Sequence, residues 1–358
     1  MTKPIITMIN FKYISILAVL FVVTGCSKGG STGDGGSTDT NTTTTIGLPA
    51  SFAKGADISW VTQMESAGYK FYNNSGAVED CFQLMKDKGM NSIRLRVWVN
   101  PSNGWCNKAD VLAKAIRANN LGMKIMIDFH YSDVWADPAD QTKPAAWVGQ
   151  NIATLQTSVY NHTVDVLSTL KTNGITPVWV QVGNETNDGM LWEEGRASTN
   201  MANFALLVNA GYNAVKFVNT SIKVIVHISN GYDNSLFRWM FDGLKANNAN
   251  YDIIGMSLYP STSNWTTLDG QCLTNMNDMV SRYGKPVMVC EIGMDVNSPA
   301  IANSFITDII TKVNSVPNGN GLGVFYWEPE AYNWQNYSMG AFDNSGRPTT
   351  AMDAFLIN

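Results

Sequence analysis

The sequence of 358 residues predicts an α/β protein with a single (β/α)8 (TIM) barrel, and three observations lead to this expectation. Eight short apolar segments recur along residues 51–358, and amphipathic stretches separate them. Two of them, residues 124–129 (KIMIDF) and 222–228 (IKVIVHI), are the nearly continuous apolar runs that buried parallel strands show. No linker, charge block or low-complexity stretch interrupts this part of the chain, which therefore alternates strands and helices within one domain.

The strand candidates are short apolar runs at residues 52–58, 92–97, 124–129, 177–182, 222–228, 252–258, 286–290 and 321–327. The helix candidates between them include residues 79–88, 108–119, 151–171, 199–218 and 299–313. An open doubly wound sheet is the alternative architecture. That fold would usually carry a glycine-rich nucleotide loop after its first strand, and KGAD at residues 54–57 is not such a loop.

Residues 1–25 are predicted to be a lipoprotein signal peptide. Lys3 and Lys12 precede or flank an apolar run at residues 14–23, which is shorter than the roughly 20 residues of a membrane-spanning helix. The run ends in VTGC, which resembles the lipobox of bacterial lipoproteins and would make Cys26 the lipidated amino terminus. An ordinary secretory signal with an unrelated cysteine nearby is the alternative.

Residues 26–50 are predicted to be a flexible tether rich in Ser, Thr and Gly, because they offer few apolar side chains to bury. Ser27 stands where an inner-membrane lipoprotein would carry Asp. We therefore expect a lipid-anchored protein of the outer membrane, on the cell surface or the periplasmic face, whose barrel at residues 51–358 acts as a monomer.

The composition restricts the kind of ligand. Charged residues make up 15% of the chain, and its net charge is −5. A nucleic-acid-binding protein would need a basic footprint, so we expect no nucleic-acid partner. Eleven tryptophans in a charge-poor, acidic chain favour a neutral ligand that stacks on aromatic rings, and a carbohydrate fits this description.

The sequence contains no motif for a catalytic metal or a serine triad. His130, His162 and His227 form no HExxH pair, and no GxSxG segment occurs. The cysteines beyond Cys26 match no zinc motif, and both disulfide pairing and burial as free thiols remain open for them. They are Cys81, Cys106, Cys272 and Cys290.

Two carboxylates follow strand candidates on opposite sides of the predicted barrel. Glu185 comes after the fourth strand and Glu291 closes the seventh. Because the active site of such barrels forms at the carboxyl ends of the strands, we expect both side chains at the barrel mouth. Glycosidic cleavage requires such a pair: one carboxyl protonates the leaving oxygen, and the other attacks the anomeric carbon or activates water.

The neighbouring residues fit the same chemistry. Asn184 is expected to hydrogen-bond the 2-hydroxyl of a sugar, and Arg96 and Tyr259 are expected to hold Glu291 ionised. Glu185 needs a less polar pocket that keeps it protonated near neutral pH. Tryptophans at four positions offer flat faces for sugar rings, with packing inside the barrel as the alternative role: Trp98, Trp135, Trp327 and Trp334.

Several segments together resemble those of the endo-β-1,4-galactanases, glycoside hydrolase family 53, in the large clan of retaining (β/α)8 glycosidases. They are GADIS (55–59), IRLRVW (93–98), DFHYSD (128–133), WADP (135–138), VQVGNETN (180–187), GMLW (189–192), EIG (291–293) and WEP (327–329). The resemblance runs from about residue 52 to the carboxyl terminus. The Asn-Glu pair and the second Glu mark the clan, whereas the DFHYSD–WADP stretch is specific to the galactanases.

The resemblance implies that Glu185 is the acid/base and Glu291 the nucleophile, in agreement with the strand positions. It implies cleavage inside β-1,4-galactan, such as the side chains of type I arabinogalactan in pectin, without a cofactor. The predicted substrate-binding residues are Asp57, Arg96, Trp98, His130, Asp133, Trp135, Asp137, Asn184, Tyr259, Trp327 and Trp334.

Two departures from the family pattern matter for ligand binding. The sixth strand ends in SLYP, where the family tends to show two tyrosines and only Tyr259 aligns. The segment from Gly293 to about Gly321 is short, which argues against the calcium-stabilised loop of some bacterial relatives. An endo-glycanase of the same clan acting on mannan or glucan, and a glycan-binding surface lipoprotein without activity, are the alternative functions.

Overall fold

The computed structural model describes residues 47–358, in which eight parallel strands close into a barrel in chain order, with β8 pairing β1. The strands are β1 Ala53–Asp57, β2 Ser92–Val97, β3 Lys124–Phe129, β4 Trp179–Val182, β5 Lys223–Ile228, β6 Ile253–Leu258, β7 Val287–Ile292 and β8 Gly321–Trp327. Each overlaps one of the eight predicted segments. The predicted (β/α)8 barrel is therefore confirmed.

Eight α-helices connect or flank the strands in the described part of the chain. They are α1 Val61–Ser66, α2 Cys81–Asp87, α3 Lys108–Asn120, α4 Ile152–Thr172, α5 Ala197–Val218, α6 Asn234–Ala246, α7 Trp265–Tyr283 and α8 Pro299–Asn314. Side chains cap the amino termini of several, such as Asp80 before α2 and Asn107 before α3, and so satisfy backbone N–H groups that have no partner within the helix. None of the helices described is both long enough and apolar enough to cross a membrane.

The inside of the barrel changes character along its axis. A small apolar cluster that includes Met126, Trp179 and Phe325 fills the end where the strands begin. A Cβ atom on Gly55 would lie 2.2 Å from the Phe325 ring, so glycine is needed on β1 for this packing. Buried charged and polar side chains occupy the opposite end, where the strands finish. The apolar layer thus closes the barrel below the polar mouth.

The cysteines within the described range are buried free thiols: Cys81, Cys106, Cys272 and Cys290. The sequence left both disulfide pairing and free thiols open, and in the structure these four cysteines are unpaired. The predicted signal peptide, Cys26 and most of the predicted tether lie outside the described residues.

Candidate active site

Glu185 and Glu291 line one cleft of about 600 Å³ at the carboxyl ends of the strands. Glu291 is the second-last residue of β7. Glu185 lies three residues beyond β4, after a turn in which Gly183 has φ +87° and Glu185 itself has φ +42°. A left-handed backbone is uncommon outside glycine, and it marks this turn as a strained segment at the cleft.

Both carboxylate oxygens of Glu291 have a partner. Oε1 pairs with Arg94 Nη2 at 2.8 Å, and the hydroxyl of Tyr259 donates to Oε2 at 2.8 Å. Burial raises the pKa of the Glu291 carboxyl, whereas the Arg94 guanidinium and the Tyr259 hydroxyl oppose that rise. These two contacts favour the ionised form that a nucleophile requires.

Glu185 has no ion pair within residues 47–358. Burial raises the pKa of its carboxyl, and the hydroxyl of Ser257 and the more distant Arg94 counteract this only in part. Two carboxyl groups in one buried cleft resist simultaneous ionisation, so the pair retains a proton. Because the ion pair and the tyrosine hydrogen bond belong to Glu291, we place that proton on Glu185, as an acid catalyst needs.

Arg94 organises the polar layer beneath the cleft. Its Nε donates to Gln181 at 2.6 Å, and its Nη1 pairs with Asp57 at 2.6 Å. Its Nη2 lies 2.9 Å from both Asp128 and Asn184, in addition to Glu291. Every side-chain nitrogen of this buried arginine therefore has an acceptor, which compensates for the loss of water.

The histidines at the mouth are held in neutral forms. His130 Nε2 donates to Asp128 at 3.0 Å, its Nδ1 accepts from the backbone N–H of Ala136, and burial lowers its pKa. His227 is fully buried, lies 2.8 Å from the hydroxyl of Ser257 through Nε2, and burial lowers its pKa as well. Both rings consequently act as hydrogen-bonding supports around the carboxyl pair.

An aromatic wall forms one side of the cleft and consists of Trp60, Trp135, Trp327 and Tyr337. The Trp60 ring meets the other three edge to face, with centroid separations of 5.1 to 5.7 Å. Trp327 and Tyr337 are 4.9 Å apart. Such offset contacts fix ring orientations, so the wall is a preformed surface for the flat faces of sugar rings.

The structure brings eight of the predicted site residues to the cleft: His130, Trp135, Asp137, Asn184, Glu185, Tyr259, Glu291 and Trp327. Five predicted residues do not line it: Asp57, Arg96, Trp98, Asp133 and Trp334. Their placement explains why.

The expectation that Arg96 contacts Glu291 is wrong, because Arg94 occupies that position. Arg96 instead pairs with Glu328, which follows β8, at 3.1 Å. Asp57 is fully buried and holds Arg94 and the Ser59 hydroxyl from within the barrel. Neither side chain is open to the cleft, so both lie beneath the binding surface.

The other three lie behind or beside the cleft. Trp98 is buried and meets Trp135 edge to face at 5.2 Å, so it supports a ring that lines the cleft. Asp133 accepts backbone N–H groups of Asn100 and Ala145 and thereby joins two loops. Trp334 packs against the ring of Tyr69 at 5.3 Å.

Sequence reasoning missed Arg94, Trp60 and the loop after β8 that carries Gln335, Tyr337 and Met339. The sequence could have indicated Arg94. It lies two residues before Arg96 on β2, so both side chains lie on the same face of the strand, toward the barrel interior. A cation buried there needs carboxylate partners. Trp60 also stands directly after the first strand. The loop has no periodic pattern that could place it.

Within the part of the chain that the structure describes, no group of three or more His, Cys, Asp or Glu is arranged to hold a metal ion.

A (β/α)8 barrel with an acid and a carboxylate beside an aromatic wall defines a glycoside hydrolase. Residues 53–355 match the sequence profile described as Glycosyl hydrolase family 53. The chain belongs to this family.

Known relatives extend over most of the chain. A probable arabinogalactan endo-β-1,4-galactanase A of Aspergillus fumigatus is 35% identical over 80% of this chain and 86% of its own length. An uncharacterized protein of Niallia circulans is 37% identical over 85% of this chain and 93% of its own. A solved structure of a fungal β-1,4-galactanase superposes with a TM-score of 0.78 at 31% identity, covering 84% of this chain and 98% of that one.

Proposed function

We propose that the protein is an arabinogalactan endo-β-1,4-galactanase that cleaves internal β-1,4-galactosidic bonds of galactan or type I arabinogalactan and releases galacto-oligosaccharides. The observation that carries this proposal is the unlike pair Glu185 and Glu291 in one cleft: among the described residues Glu185 forms no ion pair, whereas Glu291 is paired with Arg94. The relatives named for galactanase activity support the choice of substrate.

The first step forms a covalent glycosyl-enzyme. A Glu291 oxygen attacks the anomeric carbon as the bond to the glycosidic oxygen breaks, and Glu185 gives its proton to that oxygen. The shorter chain leaves with a new hydroxyl group. As Glu291 loses its negative charge to the new ester bond, the Arg94 cluster retains Asp57 and Asp128 to balance the guanidinium.

The second step releases the sugar. Glu185, now ionised, takes a proton from water, and the resulting oxygen attacks the same anomeric carbon and displaces Glu291. Two inversions at one carbon leave the configuration retained. The reaction needs only the two carboxyl groups and water.

The substrate proposal is tested by comparing linear galactan, mannan and cellulose as substrates for the purified protein. We expect rapid release of mixed galacto-oligosaccharides from galactan and none from the other two polymers. Proton NMR of the fresh products should show the β anomer first. Cleavage of mannan or cellulose in preference to galactan would favour another glycanase of the same clan.

A second test separates an enzyme from a glycan-binding protein. Glu291→Ala should reduce hydrolysis by about 10⁴-fold or more, as loss of a nucleophile does, and should keep oligosaccharide binding measurable by calorimetry. Full hydrolysis by this variant would refute the assigned nucleophile. An inactive wild-type protein that still binds galactan would support the glycan-capture alternative.

We also propose that Cys26 is lipidated, which anchors the enzyme to the outer membrane through residues 26–50 as a monomer. The VTGC motif and the polar composition of that segment support this. Cys26→Ser should release the protein into the soluble fraction without changing its specific activity. Continued sedimentation with membranes would contradict the anchor, and a dimer mass in gel filtration would contradict the monomer.

A further inference from the structure

Two carboxyl groups beyond the catalytic pair are buried next to the aromatic wall. Glu328 and Glu330 follow β8 directly, and neither is exposed to solvent. A buried ionised carboxylate is costly unless donors surround it. The partners of these two side chains therefore show what they hold in place.

Glu328 connects the aromatic wall to the buried Arg96. Its Oε1 accepts from Arg96 Nη1 at 3.1 Å, and its Oε2 accepts from the backbone N–H of Trp60 at 3.1 Å. The backbone of Glu328 has φ +46°, an unusual value for a non-glycine residue, and its N–H donates to the carbonyl of Asp57. One carboxylate thus holds both Trp60, three residues beyond β1, and a cation of β2.

Arg96 lies against three tryptophan rings. Its guanidinium carbon is 4.1 Å from the centroid of Trp135, 5.1 Å from Trp98 and 5.7 Å from Trp60. Its Nε and Nη2 are buried and have no hydrogen-bond acceptor among the described residues. The guanidinium therefore lies against aromatic surfaces, and the cation stabilises the rings by cation–π attraction.

Glu330 completes the arrangement. Both of its carboxyl oxygens are buried and receive no hydrogen bond from any donor in residues 47–358. It lies two residues after Glu328, and burial, then the charge of Glu328 and a hydrogen bond to its carboxyl, raise the pKa of Glu330. Because Glu328 already accepts from Arg96 and from the backbone N–H of Trp60, we assign the proton between the two carboxyl groups to Glu330.

We propose that Glu330 is a positioning residue: its carboxylic acid group donates a hydrogen bond to Glu328 and, through Glu328 and Arg96, fixes Trp60 and Trp135 in the orientation that binds the polysaccharide. The inference rests on the proposed function for the identity of the polysaccharide. Glu330 touches neither the reacting atoms nor the cleft surface, so its effect should appear in substrate binding rather than in bond cleavage.

The test compares Glu330→Met, which is apolar and similar in size, with Glu330→Gln, which retains a neutral donor. We expect Glu330→Met to raise KM on linear galactan about 5- to 20-fold, the cost of an unmet buried hydrogen bond, with kcat within about 2-fold of wild type. Its near-UV circular dichroism should change because tryptophan rings shift. Glu330→Gln should restore both KM and the spectrum.

A matched control is Asp269→Asn, which alters another buried carboxyl that has no hydrogen-bond donor, on α7 and outside the cleft. It should leave KM and the near-UV spectrum unchanged. If Glu330→Met fails to fold, Glu328→Gln serves instead, because its single oxygen must then accept from both Arg96 and Trp60. That variant should also raise KM.

Wild-type KM and spectrum in Glu330→Met, or in Glu328→Gln where that variant is used, would overturn the proposal. Equal damage in Glu330→Gln and Glu330→Met would overturn the donor role. Failure of the wild-type protein to cleave galactan would reject the proposed function alone, because the spectra of the variants would still report whether Glu330 positions the tryptophans.

Discussion

Arg94 and Arg96 lie two residues apart on β2, and both are almost completely buried, yet they stabilise different parts of the cleft. Every side-chain nitrogen of Arg94 meets an oxygen, and one of these oxygens belongs to Glu291. Within residues 47–358 Arg96 pairs with Glu328 alone, and its guanidinium lies against tryptophan rings.

Under the proposed mechanism, this difference assigns catalysis to one residue of β2 and substrate binding to another. A strand advances about 3.3 Å per residue, so alternate side chains on one face differ in height by about 7 Å. At one height the cation pairs with Glu291, the proposed nucleophile. At the other it lies over the ring of Trp135, which we propose binds the substrate. We therefore expect changes at Arg94 to affect kcat and changes at Arg96 to affect KM.

The largest expected effect is that of Arg94→Lys. A lysine ammonium is a single point charge and cannot reach Asp57, Asp128 and Glu291 together, so Glu291 loses its cation or its orientation. We expect kcat on galactan to fall by about 10²-fold or more, in the range seen when a group that stabilises transition-state charge is lost. Thermal unfolding of the variant shows whether it is folded. A kcat within a few-fold of wild type would remove the distinction between the two arginines.

Arg96→Lys makes the same substitution two residues further along. Lysine retains the charge for Glu328 but loses the guanidinium contact over the Trp135 ring, which contributes about 1–2 kcal/mol in a desolvated site. KM should rise about 10-fold, while kcat stays within about 3-fold. Steady-state kinetics on galactan measures both constants. If kcat falls as far as in Arg94→Lys, the two arginines act as one catalytic unit, and the assignment of Arg94 to kcat and Arg96 to KM is wrong.

Tyr259→Phe sharpens the comparison by leaving Glu291 with Arg94 alone. The tyrosine hydroxyl lowers the pKa of Glu291 by donating to its ionised form, so its removal raises that pKa. Since Glu291 must be ionised to attack, the acidic limb of kcat/KM should move to higher pH. Activity should fall about 3- to 10-fold on the acidic side and change less near the optimum. An unmoved acidic limb would show that Arg94 alone sets the ionisation.

The sequence was sufficient for the barrel and for the carboxyl pair because both follow from position along a strand. Buried parallel strands are apolar throughout, and Glu185 and Glu291 stand at strand ends. The same rule could not choose between Arg94 and Arg96. Both side chains lie on the interior face of β2. Only the position of each residue along the barrel axis, relative to the neighbouring strands, decides which one reaches Glu291.

The loop after β8 was beyond sequence reasoning for a different reason. Trp334 was predicted to bind sugar, whereas Tyr337 lines the cleft. Asn333, Gln335 and Asn336 all have positive φ, so the backbone changes direction several times within this loop. The spacing of apolar residues in the sequence does not indicate such turns. Tyr337 reaches the cleft because its ring packs on Trp327, a contact between residues that only the folded loop brings together.

The smallest effect on activity is expected for a buried acid that forms no ion pair among residues 47–358. Asp269 on α7 is fully buried and receives no hydrogen bond from a donor in the described residues, and burial, then Asp308, raises its pKa to about 9. The unfolded chain releases this proton near pH 4, whereas the folded chain keeps it, so folding binds a proton between these values. Stability should therefore fall as pH rises from about 4 to about 9.

Asp269→Asn removes this dependence, because asparagine is neutral and can still donate to Asp308. The variant should gain stability over wild type as pH rises from 5 to 8, by at most about 1.4 kcal/mol per pH unit. Thermal unfolding at both pH values, with galactanase activity as the control, measures the gain. A difference that does not grow with pH would show that Asp269 is already ionised when folded. The arginine clusters of the cleft would then not be needed to keep a buried carboxylate charged in this protein.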